Sequence, residues 1–127
     1  MILKNNLYAI EGKTEAGGAV TYSIRLCSEC FIYKAHFPGK PITPGVCLIQ
    51  MSKELLEDAV GEKLEIHSVK NVKFLSVVTP IEDTHLTVQI AKIRIKEKGE
   101  LSAQLTVQNG AETKAKLSMV FERYGHS

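Results

Sequence analysis

The 127-residue sequence predicts an α+β fold in which one long central helix is wrapped by a curved antiparallel β-sheet. Three observations lead there. A single long segment, Val46 to Val60, has helical character, and from Leu64 onward the chain is almost wholly β-patterned. Within that β-region the apolar phase slips by one residue, from Leu86, Val88 and Ile90 to Ala91, Ile93 and Ile95, as a bulge or strong curvature requires. A helix with an apolar face and a sheet with an apolar face must cover one another.

The elements follow in order. Leu7 to Glu11 is a weak strand, Gly12 to Gly18 reads as a turn, and Val20, Tyr22, Ile24 and Leu26 alternate with Thr21, Ser23 and Arg25 as a second strand. The Val46 to Val60 helix is apolar on nearly all sides at its start, through Val46, Cys47, Leu48, Ile49 and Met51. It becomes amphipathic through Leu55, Leu56, Ala59 and Val60, so it begins buried and ends near water, with Gly61 as its stop. In the last third, Leu101, Ala103, Leu105 and Val107 face one way and Ser102, Gln104, Thr106 and Gln108 the other, a half-buried strand. Lys98-Gly99 marks the hairpin before it and Asn109-Gly110 the hairpin after it, beyond which Ala115, Leu117, Met119 and Phe121 alternate again.

Composition bounds the function. With 44% hydrophobic and 24% charged residues, the chain supplies one core, expected as a single domain over 1–127. A sustained apolar h-region and a membrane-length run of ~18 apolar residues are both lacking, so the expected location is the cytoplasm. A formal charge of +2 and aromatics that do not interleave with basic residues argue against nucleic acid. Cys27, Cys30 and Cys47 read as reduced thiols, and the lone Cys27-Ser28-Glu29-Cys30 has no second pair for zinc. Cys47 reads as a small buried hydrophobe. No metal or cofactor is expected, and His67, His85 and His126 are expected to carry no role. Lys92, Arg94, Lys96 and Lys98 form a basic stripe, with Lys70 and Lys73 as a second group.

The chemistry concentrates in His36-Phe37-Pro38-Gly39-Lys40-Pro41-Ile42-Thr43-Pro44-Gly45-Val46, which holds three of the four prolines. Each proline fixes φ near −65° and restricts its predecessor to extended geometry, so His36 is presented by a stiff loop. The loop runs into a helix N-terminus, where free N–H groups and partial positive charge converge.

This order of residues, followed by a helix, resembles the β-hydroxyacyl-acyl carrier protein dehydratases of the hotdog superfamily; the match rests on His36, Phe37, Pro38, Pro41, Pro44 and Gly45 at the family's spacing. The resemblance implies reversible dehydration of a 3-hydroxyacyl thioester to the trans-2-enoyl thioester in fatty acid or related acyl chain synthesis. The substrate would ride on the phosphopantetheine of an acyl carrier protein or CoA, which the basic residues would help to dock. It implies His36 as base, the Gly45 N–H as donor to the developing enolate oxygen, and Val46, Phe37 and Phe74 as acyl contacts. It also implies a homodimer or an oligomer of dimers, with His36 facing Gln50 and Glu54 of the other subunit. Fourteen residues after the histidine the family carries Glu or Asp, whereas this chain has Gln50, which cannot transfer the proton as a carboxylate does. Glu54 follows one turn later, with Cβ atoms ~6 Å apart. It reads either as a relocated acid or as a helix carboxylate paired with a lysine. Two further readings stay open: a hotdog acyl thioesterase with Glu54 activating water, and a catalytically weak partner subunit of a mixed hotdog dimer.

Overall fold

The computed structural model describes residues 2–36, 39–96 and 99–124, with His36 described by its backbone. The element order is β1 (Tyr8–Ala16), β2 (Ala19–Leu26), α1 (Phe31–His36), α2 (Gly45–Val60), β3 (Leu64–Phe74), β4 (His85–Ile95), β5 (Glu100–Asn109) and β6 (Glu112–Arg123). The six strands form one antiparallel sheet in the order β1-β2-β4-β5-β6-β3, against which α2 packs. This is the hotdog fold.

Helix α2 forms over the predicted residues and starts one residue earlier. Pro44 is its N-cap (φ −60°, ψ 145°), an extended conformation that a proline ring is built for, and Gly61 ends it in the left-handed region (φ 71°), donating its N–H to the Glu57 carbonyl at 2.8 Å. Cys47, Leu48, Met51, Leu55 and Leu56 are buried. Their partners on the sheet include Tyr22, Ile24, Val88, Ile90, Leu105, Leu117, Met119 and Phe121. Each large side chain fully withdrawn from water contributes about 1.5–3 kcal/mol before entropy is counted, which makes this face the main source of stability. Val46 departs from the predicted buried start: it is 66% exposed.

The curvature signal in β4 is a real irregularity. Pairing of β4 with β5 shifts register between Ala91 and Arg94, and Lys92 adopts φ 53°. That bulge swaps which residues face inward and bends the sheet around α2.

Three sequence expectations are corrected. Strand β1 runs on to Ala16 and the turn is confined to Gly17 and Gly18, because Lys13, Thr14 and Glu15 lie on an edge strand exposed on both faces and show no alternation. The β5–β6 turn is Gly110-Ala111, with Asn109 paired to Glu112, since the Asn109 side chain is engaged elsewhere in the fold. Helix α1 had no visible signal: its six residues make fewer than two turns, too few to show a repeat, and Phe31, Ile32 and Tyr33 favour strands. In the β4–β5 hairpin, Gly99 has φ 76° and the Lys96 N–H bonds the Glu100 carbonyl at 2.7 Å, while Lys98 lies outside the described residues.

The segment between β3 and β4 is anchored by a buried ion pair. The Lys114 ammonium lies 3.1 Å from Asp83 and 2.7 Å from Glu112, and also donates to the Val77 carbonyl at 3.3 Å. Burial would raise the Asp83 carboxyl, but the Thr79 N–H, the Asn109 amide and Lys114 outweigh it and hold it below 3.8. The hydrogen bond to Glu112, with Asp83 beside it, holds the Lys114 ammonium above its ordinary 10.5 against the opposing effect of burial. A lowered carboxyl stabilises the fold above its ordinary pKa, and that stability is lost as pH falls through its folded value. A raised ammonium stabilises it below 10.5, and that stability is lost as pH rises through its folded value. This pair therefore predicts weakening below about pH 3.8 and above about pH 10.5, read as the urea midpoint against pH. Lys114→Met should cost about 3–5 kcal/mol at neutral pH by leaving Asp83 buried and unpaired.

Candidate active site

The site is built around the junction of the two helices. His36 is the last residue of α1. One turn earlier, the buried Tyr33 hydroxyl is 2.9 Å from Thr43 Oγ1, and Thr43 directly precedes the N-cap of α2. The Thr43 N–H donates to the Val78 carbonyl at 2.7 Å, so the end of α1, the start of α2 and the β3–β4 segment meet at one residue. Burial pushes the Tyr33 hydroxyl up to about 12, with the Thr43 bond opposing, so it stays a neutral hydrogen-bonding strut.

The start of α2 is arranged to receive a partial negative charge. Pro44 has no side-chain oxygen to cap the helix, none is supplied from elsewhere among the described residues, and the first turn carries no acidic side chain. Gly45 is required here for space: a Cβ on it would sit 2.8 Å from both Cε2 and Cζ of Phe74. The Phe74 ring thus lies directly against the helix start. Beside it opens a cavity of about 380 Å³ lined by Ile42, Leu48, Phe74, Leu75, Val77 and Val78, an apolar space at the foot of the uncapped N–H groups.

Gln50 and Glu54 face a second groove, of about 770 Å³, that also takes in Ile2, Lys4 and Tyr124. The Glu54 carboxylate is buried and accepts four hydrogen bonds. Oε1 receives the Lys4 N–H at 2.8 Å and the Tyr8 hydroxyl at 3.0 Å, and Oε2 receives the Leu3 N–H at 2.8 Å and Gln50 Nε2 at 2.9 Å. A carboxylate has about four lone-pair sites, so these donors fill it. This geometry differs from both sequence expectations, the open acid and the lysine-paired surface carboxylate. Glu54 clasps the N-terminal segment, and the lysine of that helix face, Lys53, lies 3.9 Å from Glu57 instead.

Of the residues expected in the site, the fold brings Gly45 and Phe74 together and joins Gln50 to Glu54; Val46 projects outward, the His36 ring is undescribed, and Phe37 lies outside the described residues. Cys47 is buried, and burial, with Cys30 nearby, pushes its thiol up, as suits a packing residue. Lys70, Lys73, Lys92, Arg94 and Lys96 are exposed. His67 and His85 meet surface carboxylates that spacing did not reveal, Glu122 at 3.0 Å on the neighbouring strand β6 and Glu11 at 2.9 Å on β1, across the intervening β2; His126 lies outside the described residues. Among the described residues no group of three or more His, Cys, Asp or Glu is placed to hold a metal ion, and no helix is long and apolar enough to cross a membrane. Sequence reasoning missed Tyr8, Tyr33 and Thr43; the one available hint was tyrosine inside apolar runs, where a buried hydroxyl needs a partner.

A hotdog fold with a histidine-bearing element tied to an uncapped helix start defines a dehydratase-type scaffold, and comparison with known proteins agrees. The chain belongs to the ApeI-like family, described as ApeI dehydratase, which matches residues 12–117. It is 36% identical over 70 residues to the 3-hydroxyacyl-[acyl-carrier-protein] dehydratase FabZ of Clostridium acetobutylicum, covering 50% of each chain. It is 30% identical over 108 residues to FabZ of Levilactobacillus brevis, covering 71% of this chain and 73% of that one. For the FabZ proteins of C. acetobutylicum and Caulobacter vibrioides, the match spans about half of their length. In fold, the chain is similar to the dehydratase heterocomplex ApeI:P from Xenorhabdus doucetiae (TM-score 0.67, 19% identity, 90% of this chain and 96% of that one). It is also similar to a hypothetical thioesterase with coenzyme A from Streptococcus pneumoniae (TM-score 0.61, 15% identity, 94% and 90%).

Two stability measurements check this geometry. Glu54→Gln places an NH₂ among donors and should destabilise the protein by about 2–3 kcal/mol, lowering Tm by roughly 10 °C in a calorimetric scan. Gly45→Ala should cost about 1–2 kcal/mol by displacing the Phe74 ring, and that cost should vanish in a Phe74→Ala background.

Proposed function

We propose that this chain catalyses the reversible dehydration of 3-hydroxyacyl thioesters to trans-2-enoyl thioesters, with the acyl group carried on the phosphopantetheine of an acyl carrier protein or on CoA. The observation that carries the reading is the Tyr33–Thr43 tie, which couples the end of the His36 helix to an uncapped helix start beside an apolar cavity. His36 takes the α-proton as the thioester oxygen gains negative charge, and the Gly45 N–H donates to that oxygen. The acyl chain enters the apolar cavity past Phe74. The C–O bond to the 3-hydroxyl then breaks, the double bond forms, and the hydroxyl leaves as water. Val46 and Phe37 complete the acyl contacts at the meeting of two copies in the cytoplasm. Edge strand β3 with its exposed Val69, together with the exposed Val46, provides the surface for that dimer, in which His36 of one copy faces Gln50 of the other. The exposed Lys92, Arg94 and Lys96 suit an acidic carrier protein.

A second reading has one specific observation in its favour: with Gln50 in place of an acid and Glu54 filled, a different hotdog chain would supply the carboxylate in a mixed dimer. The thioesterase reading needs a carboxylate open to water, which the filled Glu54 does not offer.

Hydration of a short trans-2-enoyl thioester, followed by loss of enoyl absorbance with free thiol recorded in parallel, tests this. The wild type should hydrate, and His36→Ala should lose on the order of 100-fold or more in rate. Thiol release without hydration would make the protein a thioesterase, and a silent chain awakened by a second hotdog chain would make it a partner subunit.

A further inference from the structure

The face of the sheet turned away from α2 carries a cleft that the proposed reaction does not use. Lys116 of β6 stands opposite Lys73 of β3 on one side and Thr106 of β5 on the other; one row along, Ser118 stands between Asn71 and Gln104. Opposed residues share a face of the sheet, with Cβ atoms about 4.5–5.5 Å apart. That face is the outer one: Ala115 and Leu117, on either side of Lys116, are buried in the core, while Lys73 and Lys116 are exposed. These six side chains line a cleft of about 350 Å³. Two ammonium groups in opposition repel one another. Among the described residues neither enters an ion pair, and the other four side chains are neutral amides and hydroxyls. The acids of these strands are elsewhere. Glu65, Glu122 and Glu100 stand in one opposed row at the far end of this face, and Glu112 is held by Lys114 at 2.7 Å.

We propose that this cleft binds a phosphate dianion, free or as a monoester, between the Lys73 and Lys116 ammonium groups. A phosphate monoester carries a charge of about −1.5 to −2 at pH 7 and presents three acceptor oxygens. The two lysines balance that charge, and the Asn71 and Gln104 amides and the Thr106 and Ser118 hydroxyls supply further donors within the same cleft. A nucleic acid would need a basic track along the sheet. The outer face instead continues through Gln89 and Thr87 of β4 to Thr21 and Ser23 of β2, all uncharged, so the site suits a compact anion. Such binding is independent of the dehydratase reading, because the cleft and the apolar cavity lie on opposite faces: Lys73 points outward, and the next residue, Phe74, turns inward against Gly45. An edge-to-edge dimer through β3 leaves the cleft open, since outer side chains stand perpendicular to the sheet.

The test is calorimetric titration of the protein with sodium phosphate at about pH 8, where phosphate is mostly dianionic, with ionic strength held constant by sodium chloride. The wild type should bind saturably, one phosphate to each chain. Lys73→Gln and Lys116→Gln should each weaken binding roughly tenfold or more, and Lys73→Glu should abolish it. All three replace exposed side chains, so the variants should fold, as circular dichroism would check. Lys63→Gln, on the loop after α2, should leave binding unchanged. Adenosine 3′-phosphate separates the sources: tighter binding than inorganic phosphate identifies a monoester as the occupant, and equal binding identifies free phosphate. Dimethyl phosphate, a monoanion, should bind more weakly than either. Phosphate heats no larger than those of chloride, equal binding of dimethyl phosphate, or a loss in Lys63→Gln as large as in Lys73→Gln overturns the proposal. Binding of hexaglutamate without binding of phosphate also overturns it, and makes the cleft a docking surface for acidic protein.

Discussion

A carboxylate withdrawn from water must find a donor for each of its lone pairs, and Glu54 organises its surroundings through that demand. Two of its donors are consecutive backbone N–H groups, of Leu3 and Lys4, which can converge only if the chain turns sharply there. Asn5 accommodates the turn in the left-handed region at φ 65°, and Leu3 and Leu7 then drop into the core. The Tyr8 hydroxyl closes the arrangement from the first residue of β1. The segment before the sheet is thereby docked on the helix that fills the sheet, and Gln50, the fourth donor, acquires its orientation from the same carboxylate.

The helix and sheet impose a second constraint on each other. A sheet of six strands stays apolar on one face around a single helix only if it bends, and the β4 bulge at Ala91–Arg94 supplies the bend while reversing the inward phase. Edge strand β3 is irregular as well, with register shifts at Ile66/Ser68 and Val69/Asn71 against β6. Phe74 ends this strand, and its ring comes to rest on Gly45. The packing that closes the fold and the wall of the apolar cavity are therefore the same contact.

Two stretches, residues 39–44 before α2 and 75–84 after β3, would be free to drift without further ties. Thr43 collects two of these ties, from Tyr33 and Val78, and the buried Asp83–Lys114 pair holds the segment that carries Val78. A buried ion pair contributes little net stability over an apolar pair of the same shape, but it tolerates only one arrangement. That property suits a wall that must keep its place beside a helix N-terminus.

Much of this was legible in the chain itself. The boundaries of α2, the alternation of β5 and β6 and the β4 bulge follow from local apolar periodicity and from Pro and Gly chemistry, which act over a few residues and need no tertiary context. The His36 to Gly45 run likewise announced the start of α2 and the family, although His36 itself closes helix α1 and does not stand in a loop as its prolines suggested. Helix α1, the extent of β1 and the Glu54 clasp were not legible. The first makes fewer than two helical turns, the second ends in residues exposed on both faces, and the third joins Glu54 to residues 46 to 51 positions away. Which groups satisfy a buried carboxylate is decided only when the chain closes on itself, because the burial of Glu54 and the convergence of Leu3, Lys4, Tyr8 and Gln50 on it are both products of tertiary packing.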